Sequence, residues 1–404
     1  MAKPGERRSV TVDSSTWLEP DPWRSATVAT MQIEPFAVEQ WMNEYETRCE
    51  YNLAETCCDS ITLAELLDLG GVGPGYLDRL LSMKLTYGEI EGSDRLRGAI
   101  ASLFETQSIA NTLVTHGTIG ANHLVYLTLV SAGDHVVSVV PSYQQHTAIP
   151  ESLGATVTRV PLREERGWAL DLDELAAAVT PSTSLVTLTN PNNPTGALLG
   201  REELSAVAAT CDKVGAWLLA DEVYRGIDQE GSGTTVSAVD LYERAISTGS
   251  MSKAFSLAGL RLGWIVGPES LLERVVVHRD YNTISVGMID DVLAALALEN
   301  AETILGRNRA LVRSNLKTLS NWVDGEDRVS WTRPSGGTIT LLRYDGHLLS
   351  RDFCVGLVEG PDRVMLTPGS ALGMEGHVRI GYANASEALI AGLPLISRYM
   401  DGLG

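Results

Sequence analysis

Short apolar runs recur along the middle of the chain, and each one ends in small or polar residues. Five of these runs predict β-strands, over residues 112–115, 136–140, 185–189, 217–220 and 245–248. The segments between them carry apolar residues at helical spacing, so strands and helices alternate. Because this alternation is typical of a mostly parallel sheet sandwiched by helices, the pattern predicts an α/β fold. In such an open sheet, ligands bind beyond the carboxyl ends of the strands.

The helical segments and the chain length together predict the domain organisation. Helices are expected over 121–129, 172–179, 202–209 and 286–298, with Asp171 as the N-cap of the second. At 404 residues the chain is too long for one ordinary core, which predicts a large domain and a smaller α+β domain. We expect a flexible N-terminal extension, an arm joining the small domain, the large domain and the small C-terminal domain, over residues 1–30, 31–75, 76–290 and 291–404.

Charge and composition exclude several classes of partner. The net charge of −20 argues against nucleic acid, because phosphate binding needs a basic stripe. No apolar run approaches the ~18–20 residues that span a bilayer, and the N-terminus lacks the apolar run of a signal peptide. The five cysteines include the vicinal pair Cys57 and Cys58, which suits neither a disulfide framework nor a zinc site. We therefore predict a cytoplasmic protein without a metal, and assign these two thiols no chemistry.

A phosphate site is predicted where a strand gives way to a helix. The Gly117–Gly120 turn (G-T-I-G) presents the free amides of Thr118 and Ile119 and the positive end of a helix dipole. Ser250 and Arg261 can add a hydroxyl donor and a forked cation. Taken alone, the turn also fits an ordinary tight strand-to-helix connection.

Three polar residues at neighbouring strand ends suggest a site for a charged ring. Asp221 ends a strand and would face a low-dielectric pocket, where a carboxylate needs a cation such as a protonated ring nitrogen. Tyr224 and Asn193 can donate to an oxygen on the ring's other side. The alternatives are a helix N-cap for Asp221 and loop packing for the other two.

An aromatic residue and an amine complete the set. Tyr143 would stack on the ring, and Lys253 would form an imine with the ring's aldehyde, in a dry, cation-rich site that lowers the amine's pKa. Together, the phosphate cradle, the ring partners and the imine-forming lysine describe pyridoxal phosphate. S-M-S-K, at 250–253, also fits the S-x-x-K signature of serine acyl-enzymes, but the S-D-N and K-T-G partners of that signature are not in the sequence.

Three motifs in fixed order carry a family resemblance. N-P-N-N-P-T-G, then D-E-V-Y, then S-M-S-K-A-F-S-L-A-G-L-R-L-G-W resemble the fold-type-I pyridoxal-phosphate enzymes of the class I/II aminotransferase family, and the likeness runs from about Met31 to the C-terminus. It implies a large cofactor-binding domain and a homodimer with shared active sites.

The resemblance also implies a role for each matching residue. Roles toward the cofactor fall to Lys253 at the aldehyde, Asp221 at the ring nitrogen, Asn193 and Tyr224 at the ring oxygen, and Ser250, Arg261, Thr118 and Ile119 at the phosphate. Arg379, in H-V-R-I-G-Y-A, matches the arginine that holds the substrate α-carboxylate, and Tyr87 matches a tyrosine that reaches the phosphate of the neighbouring subunit.

The N-terminal segment departs from ordinary transaminases. Residues 51–60 (Y-N-L-A-E-T-C-C-D-S), together with W-M-N-E-Y-E, H-G-T-I-G-A-N and residues 279–281, are similar to the capreomycidine-synthase-like cyclases of peptide-antibiotic pathways, including the streptothricin type. That likeness implies a hydroxylated arginine as substrate. A guanidinium pairs well with a carboxylate, so Glu55 and Asp280 are the candidate contacts; their alternative is a surface or dimer-interface salt bridge.

The predicted catalytic set is Lys253 as base, Tyr224, and His146 as proton donor to the leaving hydroxyl. His123 is a less well placed donor, and a structural role is the alternative for both histidines. Three functions stay open: a cyclase that expels water, an aminotransferase that needs a keto acid, and a non-catalytic sensor that binds the cofactor only.

Overall fold

The computed structural model describes residues 32–403, so the expected extension at 1–30 lies outside the described residues. The described helices, in chain order, are α1 (Ala37–Tyr45), α2 (Leu63–Leu69), α3 (Gly75–Leu81), α4 (Asp94–Ala101), α5 (Gly117–Leu129), α6 (Gln145–Ser152), α7 (Leu172–Ala178), α8 (Arg201–Asp212), α9 (Glu269–Asp280), α10 (Met288–Glu299), α11 (Ala301–Asp324), α12 (Ser350–Glu359) and α13 (Ser386–Asp401). The described strands are β1 (Tyr51–Asn52), β2 (Thr112–Thr115), β3 (His135–Val140), β4 (Thr156–Pro161), β5 (Thr183–Thr189), β6 (Trp217–Asp221), β7 (Ala245–Ser250), β8 (Gly263–Val266), β9 (Val329–Ser330), β10 (Ile339–Tyr344), β11 (Val364–Met365), β12 (Thr367–Pro368) and β13 (His377–Gly381).

A seven-stranded sheet in the order β2-β8-β7-β6-β5-β3-β4 forms the centre of the fold. Only β8 runs antiparallel to its neighbours in this sheet. Alternate residues of β6 belong to two separate apolar clusters. Leu219 packs in the cluster that contains α5 and α9, whereas Leu218 and Ala220 pack in the cluster on the other face of the sheet. The expected α/β fold with a mostly parallel sheet between helices is confirmed.

Strand ends bring the predicted polar residues to one edge of this sheet. Thr189, at the end of β5, pairs with Asp221, and Asp221 pairs with Thr248 of β7. Since these strands are parallel, their carboxyl ends meet side by side. The strand β3 begins one residue earlier than expected because His135 is held inside the sheet by Thr183 and Thr158, each 2.8 Å from a ring nitrogen.

The last part of the chain forms an antiparallel sheet in the order β12-β13-β10-β9. The short strand β1 pairs in parallel with β11, so the segment after α1 lies against this part of the molecule. Arg379 lies on β13, opposite Leu341 and Thr367. The domain boundaries at 75 and 290 stay a prediction.

The described helices do not include one with the length and apolarity needed to cross a membrane. All five cysteines lie in the described part of the chain and are free thiols.

Candidate active site

A cavity of about 320 Å³ lies at the carboxyl edge of the central sheet. Its lining comes from α1, residues 54–57, the start of α5, the ends of β5, β6 and β7, and β13. Most residues predicted for the site line this one cavity: Glu55, Thr118, Ile119, Tyr143, Asn193, Asp221, Tyr224, Ser250, Lys253, Arg261 and Arg379.

Asp221 is 4% exposed and is held by donors from three directions. Its Oδ2 accepts from Asn122 Nδ2 at 2.8 Å and lies 3.4 Å from His146 Nε2, while Oδ1 accepts from the Val223 amide at 3.2 Å. These contacts fix the carboxylate where β6 ends. A carboxylate fixed at a cavity wall is suited to a cation within the cavity.

His146 lies behind Asp221 and does not line the cavity. Its ring is fully buried, 2.8 Å from the Tyr126 hydroxyl and 3.1 Å from Thr187 Oγ1. The prediction that His146 donates a proton to the substrate disagrees with this position, because Asp221 stands between the ring and the cavity. His146 contacts the Asp221 carboxylate instead. His123 lines a separate cavity with Phe36 and Asn282.

The predicted phosphate corner is built from tightly packed backbone. Gly117 begins α5 with φ +66°, and Thr118 Oγ1 is buried without a hydrogen-bond partner. A Cβ on Gly263 would lie 2.4 Å from the Gly117 carbonyl carbon, so glycine lets β8 pass beneath this turn. Arg261 reaches the same corner, since a Cβ on Gly117 would lie 3.4 Å from its Nη2.

Lys253 extends into the cavity from the loop after β7. Its Nζ donates to Thr56 Oγ1 at 2.6 Å and to Cys57 Sγ at 3.4 Å. Burial lowers the pKa of the Lys253 amine, but the neighbouring Cys57, Tyr224 and Glu55 side chains outweigh burial, so the pKa is raised. The predicted lowering of this pKa is wrong, because the groups around the amine are acidic and not cationic.

Arg379 also lines the cavity and is 2% exposed. Its guanidinium donates to Asn193 Oδ1 and to Thr367 Oγ1, each at 3.2 Å, and its Nε has no partner. Burial lowers the pKa of Arg379. A buried guanidinium with an unused donor fits a carboxylate ligand.

Tyr143 also lines the cavity, with its hydroxyl donating to Glu39 Oε1 at 2.6 Å. Its ring lies 4.6 Å from that of Phe36. Burial and the Glu39 carboxylate raise the pKa of the phenol.

Several residues that line the cavity were missed by the sequence reasoning. Glu39 and Met42 lie on α1 and Glu46 follows its end, so one side of this helix meets the cavity. Their i, i+3, i+7 spacing is a helical signal, but acidic residues at such spacing usually mark a solvated face. Thr56 was likewise overlooked beside Glu55, and Cys57, to which the sequence analysis assigned no chemistry, also lines the cavity.

The carboxylates near α1 influence one another. Burial and the charges of Glu55 and Glu39 raise the pKa of Glu46. Burial alone would raise the pKa of Glu55, but the Lys253 ammonium and the amides of Cys57 and Thr56, at 2.8 and 2.7 Å, lower it overall. Three carboxylates, Glu39, Glu46 and Glu55, therefore form the acidic side of the cavity lining, and Arg379 contributes a cation close to two of them.

Tyr87 and Asp280 are not among the lining residues. Tyr87 is 74% exposed, and its expected contact with a neighbouring subunit stays a prediction. Asp280 ends α9, where its Oδ1 lies 3.2 Å from Arg279 Nη2. This placement agrees with the salt-bridge alternative for Asp280 and not with a substrate contact inside its own chain.

A family model, a curated relative and two solved structures match this chain over most of its length. The family model described as aminotransferase class I and II matches residues 80–393. Capreomycidine synthase of Streptomyces vinaceus is 31% identical over 366 residues, which cover 89% of this chain and 92% of that protein. A PLP-dependent aminotransferase from Streptococcus suis is 36% identical with a TM-score of 0.89, covering 93% and 99% of the two chains. The PLP-dependent cyclase OrfR is 28% identical with a TM-score of 0.85, covering 94% and 100%.

Proposed function

We propose that this chain, which belongs to the class I and II aminotransferase family, is a cyclase acting on a hydroxylated L-arginine. The chain is a pyridoxal-phosphate-dependent enzyme of this superfamily. The proposed reaction removes the α-proton, expels the β-hydroxyl and adds the guanidine to the β-carbon. Its product is a capreomycidine-type cyclic guanidino amino acid. The likeness to a capreomycidine synthase and to a cyclase supports this proposal.

The residues of the cavity fit pyridoxal phosphate. The buried, unpartnered Thr118 Oγ1 lies in a corner with Ser250, Arg261 and the first amides of α5, which would hold the phosphate. Asp221 would face the ring nitrogen, Asn193 and Tyr224 the ring oxygen, and Tyr143 the ring face. When bound, the cofactor supplies an electron sink for the carbanion that forms at the substrate α-carbon.

One observation supports the arginine-derived substrate most directly: the same cavity has an acidic side and a cation. Arg379 has a free Nε donor for an α-carboxylate. Glu39, Glu46 and Glu55 line the cavity and would bind a guanidinium, which forms paired hydrogen bonds with carboxylates. A substrate with a carboxylate at one end and a cation at the other satisfies both.

The proposed roles follow from these contacts. Lys253 takes the α-proton, and its ammonium form is stabilised by Cys57, Tyr224 and Glu55. Arg379 holds the α-carboxylate, and the acidic side keeps the guanidinium in the cavity within reach of the β-carbon. The guanidinium must lose a proton before it adds, and Glu46, with its raised pKa, is the acceptor that suits this step.

An aminotransferase is the second candidate, because a PLP-dependent aminotransferase is 36% identical to this chain. A cyclase releases water and needs no acceptor, whereas an aminotransferase consumes a 2-oxo acid and releases a keto acid formed from its substrate. The sensor alternative has no support, since the chain belongs to a family of enzymes.

Mass spectrometry separates these candidates. The purified protein is incubated with L-arginine, β-hydroxylated arginines and common amino acids, with and without a 2-oxo acid. We expect a hydroxyarginine to lose one water without any acceptor, and Lys253→Ala to abolish that loss. A keto-acid product that forms only with an added 2-oxo acid would instead establish the aminotransferase.

We also propose a homodimer with shared active sites, the state in which members of this family generally act. Exposed apolar side chains cluster on two neighbouring stretches, which Ser93 and Asp291 join by hydrogen bonds at 2.6 and 2.9 Å. These side chains are Leu77, Leu81, Leu85, Tyr87, Ile90, Tyr281, Ile284 and Ile289. Apolar groups concentrated in this way are typical of an interface.

A further inference from the structure

The segment that faces Lys253 carries a thiol inside the cavity. Cys57 lines the cavity, and its Sγ lies 3.4 Å from Lys253 Nζ. The adjacent Cys58 is also buried but does not line the cavity. Two buried polar atoms without partners, Thr118 Oγ1 and Arg379 Nε, show independently that this cavity is built for a ligand. The Cys57 thiol is therefore placed beside the amine and within the space that a substrate would fill.

The thiol of Cys57 has two hydrogen-bonding neighbours. Lys253 Nζ donates to Cys57 Sγ, and the Glu55 carboxylate, which also lines the cavity, is the hydrogen-bond partner for the thiol proton. Burial and the nearby Glu55 carboxylate keep the thiol neutral, raising the pKa of Cys57 to about 11 even though Lys253 lowers it. Thr56 is also adjacent to Lys253, but an aliphatic alcohol is a far weaker acid than a thiol.

We propose that Cys57 is the general acid that protonates the leaving β-hydroxyl, a role that rests on the proposed cyclase function. Lys253 takes the α-proton and becomes an ammonium. The β-carbon–oxygen bond then breaks, its electron pair leaves with the oxygen, and the Cys57 proton completes a water molecule. The ammonium of Lys253 returns a proton to the thiolate, which restores both groups. One proton is thus taken from the α-carbon and one is delivered to the leaving oxygen, so the substrate loses only water.

The test compares two leaving groups in wild type and Cys57→Ala. A β-hydroxyl needs a proton to leave, whereas a β-chloride does not. General acids contribute about 10²- to 10⁴-fold to such steps, so we expect Cys57→Ala to lose at least about 100-fold with β-hydroxyarginine. Loss of Cys57 also changes the surroundings of Lys253, which acts on both substrates. The decisive readout is therefore the ratio of the β-hydroxyl to the β-chloride elimination rate, which should fall at least about 100-fold. Exchange of the α-proton of L-arginine with solvent deuterium measures the Lys253 step alone.

Cys58→Ala is the matched control, because it removes a neighbouring buried thiol outside the cavity; it should keep the wild-type ratio of the two elimination rates. Cys57→Ser keeps the side-chain size if the alanine variant folds poorly, and it should slow the β-hydroxyl substrate far more than the β-chloro substrate. Slowing of both substrates by the same factor as α-proton exchange would assign Cys57 to the surroundings of Lys253 and overturn its role as an acid. Water loss that persists unchanged in Cys57→Ala contradicts the role of Cys57 but not the proposed cyclase function. A wild-type enzyme that releases no water contradicts the proposed function itself.

Discussion

The pKa values of Lys253 and Arg379 are shifted in opposite directions, although both side chains are cations that line the same cavity. Burial lowers the pKa of Arg379, and its Nε has no acceptor. The pKa of Lys253 is raised because acidic neighbours outweigh burial. An incoming anion is therefore attracted to Arg379, whereas the charge of Lys253 is already compensated by the protein.

The raised pKa of Lys253 predicts how cofactor uptake depends on pH. The amine must be neutral to react with the aldehyde, and at neutral pH it is almost entirely protonated. We expect the uptake rate of cofactor-free protein to rise about tenfold per pH unit between roughly pH 7 and 9, because the neutral fraction does so below the pKa. Stopped-flow absorbance with pyridoxal phosphate measures this rate. A rate that levels off near pH 7 would mean that the amine loses its proton far more easily.

Substitution of Glu46 tests the acidic side of the cavity. Glu46→Gln should raise KM for an arginine-derived substrate about tenfold, the size of one partly solvated charge-assisted hydrogen bond. The pKa of Glu46 is raised, so its charge is present above that pKa and is lost on acidification at a higher pH than for an ordinary carboxyl. KM of the wild type should therefore increase on acidification, and that of the variant should change less.

Glu44→Gln is the control for this measurement. Glu44 also lies on α1, but it pairs with Arg351 at 3.2 Å and does not line the cavity. Unchanged KM in Glu46→Gln, or the same increase in Glu44→Gln, would remove Glu46 from the substrate site.

At the scale of elements, the cavity depends on how closely α5, β7 and β8 approach one another. The antiparallel strand β8 pairs with both β2 and β7 through Gly263, opposite Thr115 and Ser250. A side chain at Gly263 would meet backbone atoms of two neighbouring segments, including Gly249 O and Thr118 N, each at 2.7 Å. Backbone cannot move aside as a flexible side chain does, so the phosphate corner requires glycine here.

Gly263→Ala should therefore displace the start of α5. We expect pyridoxal phosphate affinity to fall at least about tenfold and the melting temperature to drop, since overpacking costs about 1–3 kcal/mol. Gly259→Ala, in the neighbouring turn, meets nothing within 4 Å and should leave both quantities unchanged. Fluorescence titration with the cofactor and thermal denaturation measure the two effects. Wild-type affinity in Gly263→Ala would contradict this account.

The sequence could predict the positions of site residues that lie at the ends of strands. Asp221 and Ser250 end apolar runs, and the topology of a parallel sheet brings such ends together. Glu39 and Glu46 could not be placed in this way, because only tertiary packing brings α1 to the cavity. His146 follows Tyr143 by three residues, yet it points toward Tyr126 and Thr187, a direction that spacing in a sequence does not reveal.

At the scale of the whole molecule, the apolar stretches around Tyr87 and Tyr281 have no covering in a single chain. Tyr87 is 74% and Tyr281 93% exposed. Burial of such side chains between two copies would stabilise a dimer and bring Tyr87 toward the partner subunit's site.

Mixed dimers test this arrangement. Lys253→Ala and Tyr87→Ala should each be impaired alone. After unfolding and refolding them together, about half of the dimers are hybrids, and each hybrid has one intact site of two, so activity should recover to about one quarter of wild type. Size-exclusion chromatography with light scattering gives the oligomeric state. No recovery from hybrids of confirmed dimeric state would mean that Tyr87 acts within its own chain or not at all.

The bond from Arg379 to the Ala54 carbonyl, 3.4 Å long, joins residues that lie 325 positions apart in the chain. At a synthesis rate of about 5–20 residues per second, roughly 16 to 65 s pass on the ribosome between the two. A nascent chain can form the strands that precede Lys253 well before Arg379 has been made. A chain that stops before residue 379 should therefore fail to retain an amino acid even where it retains the vitamin.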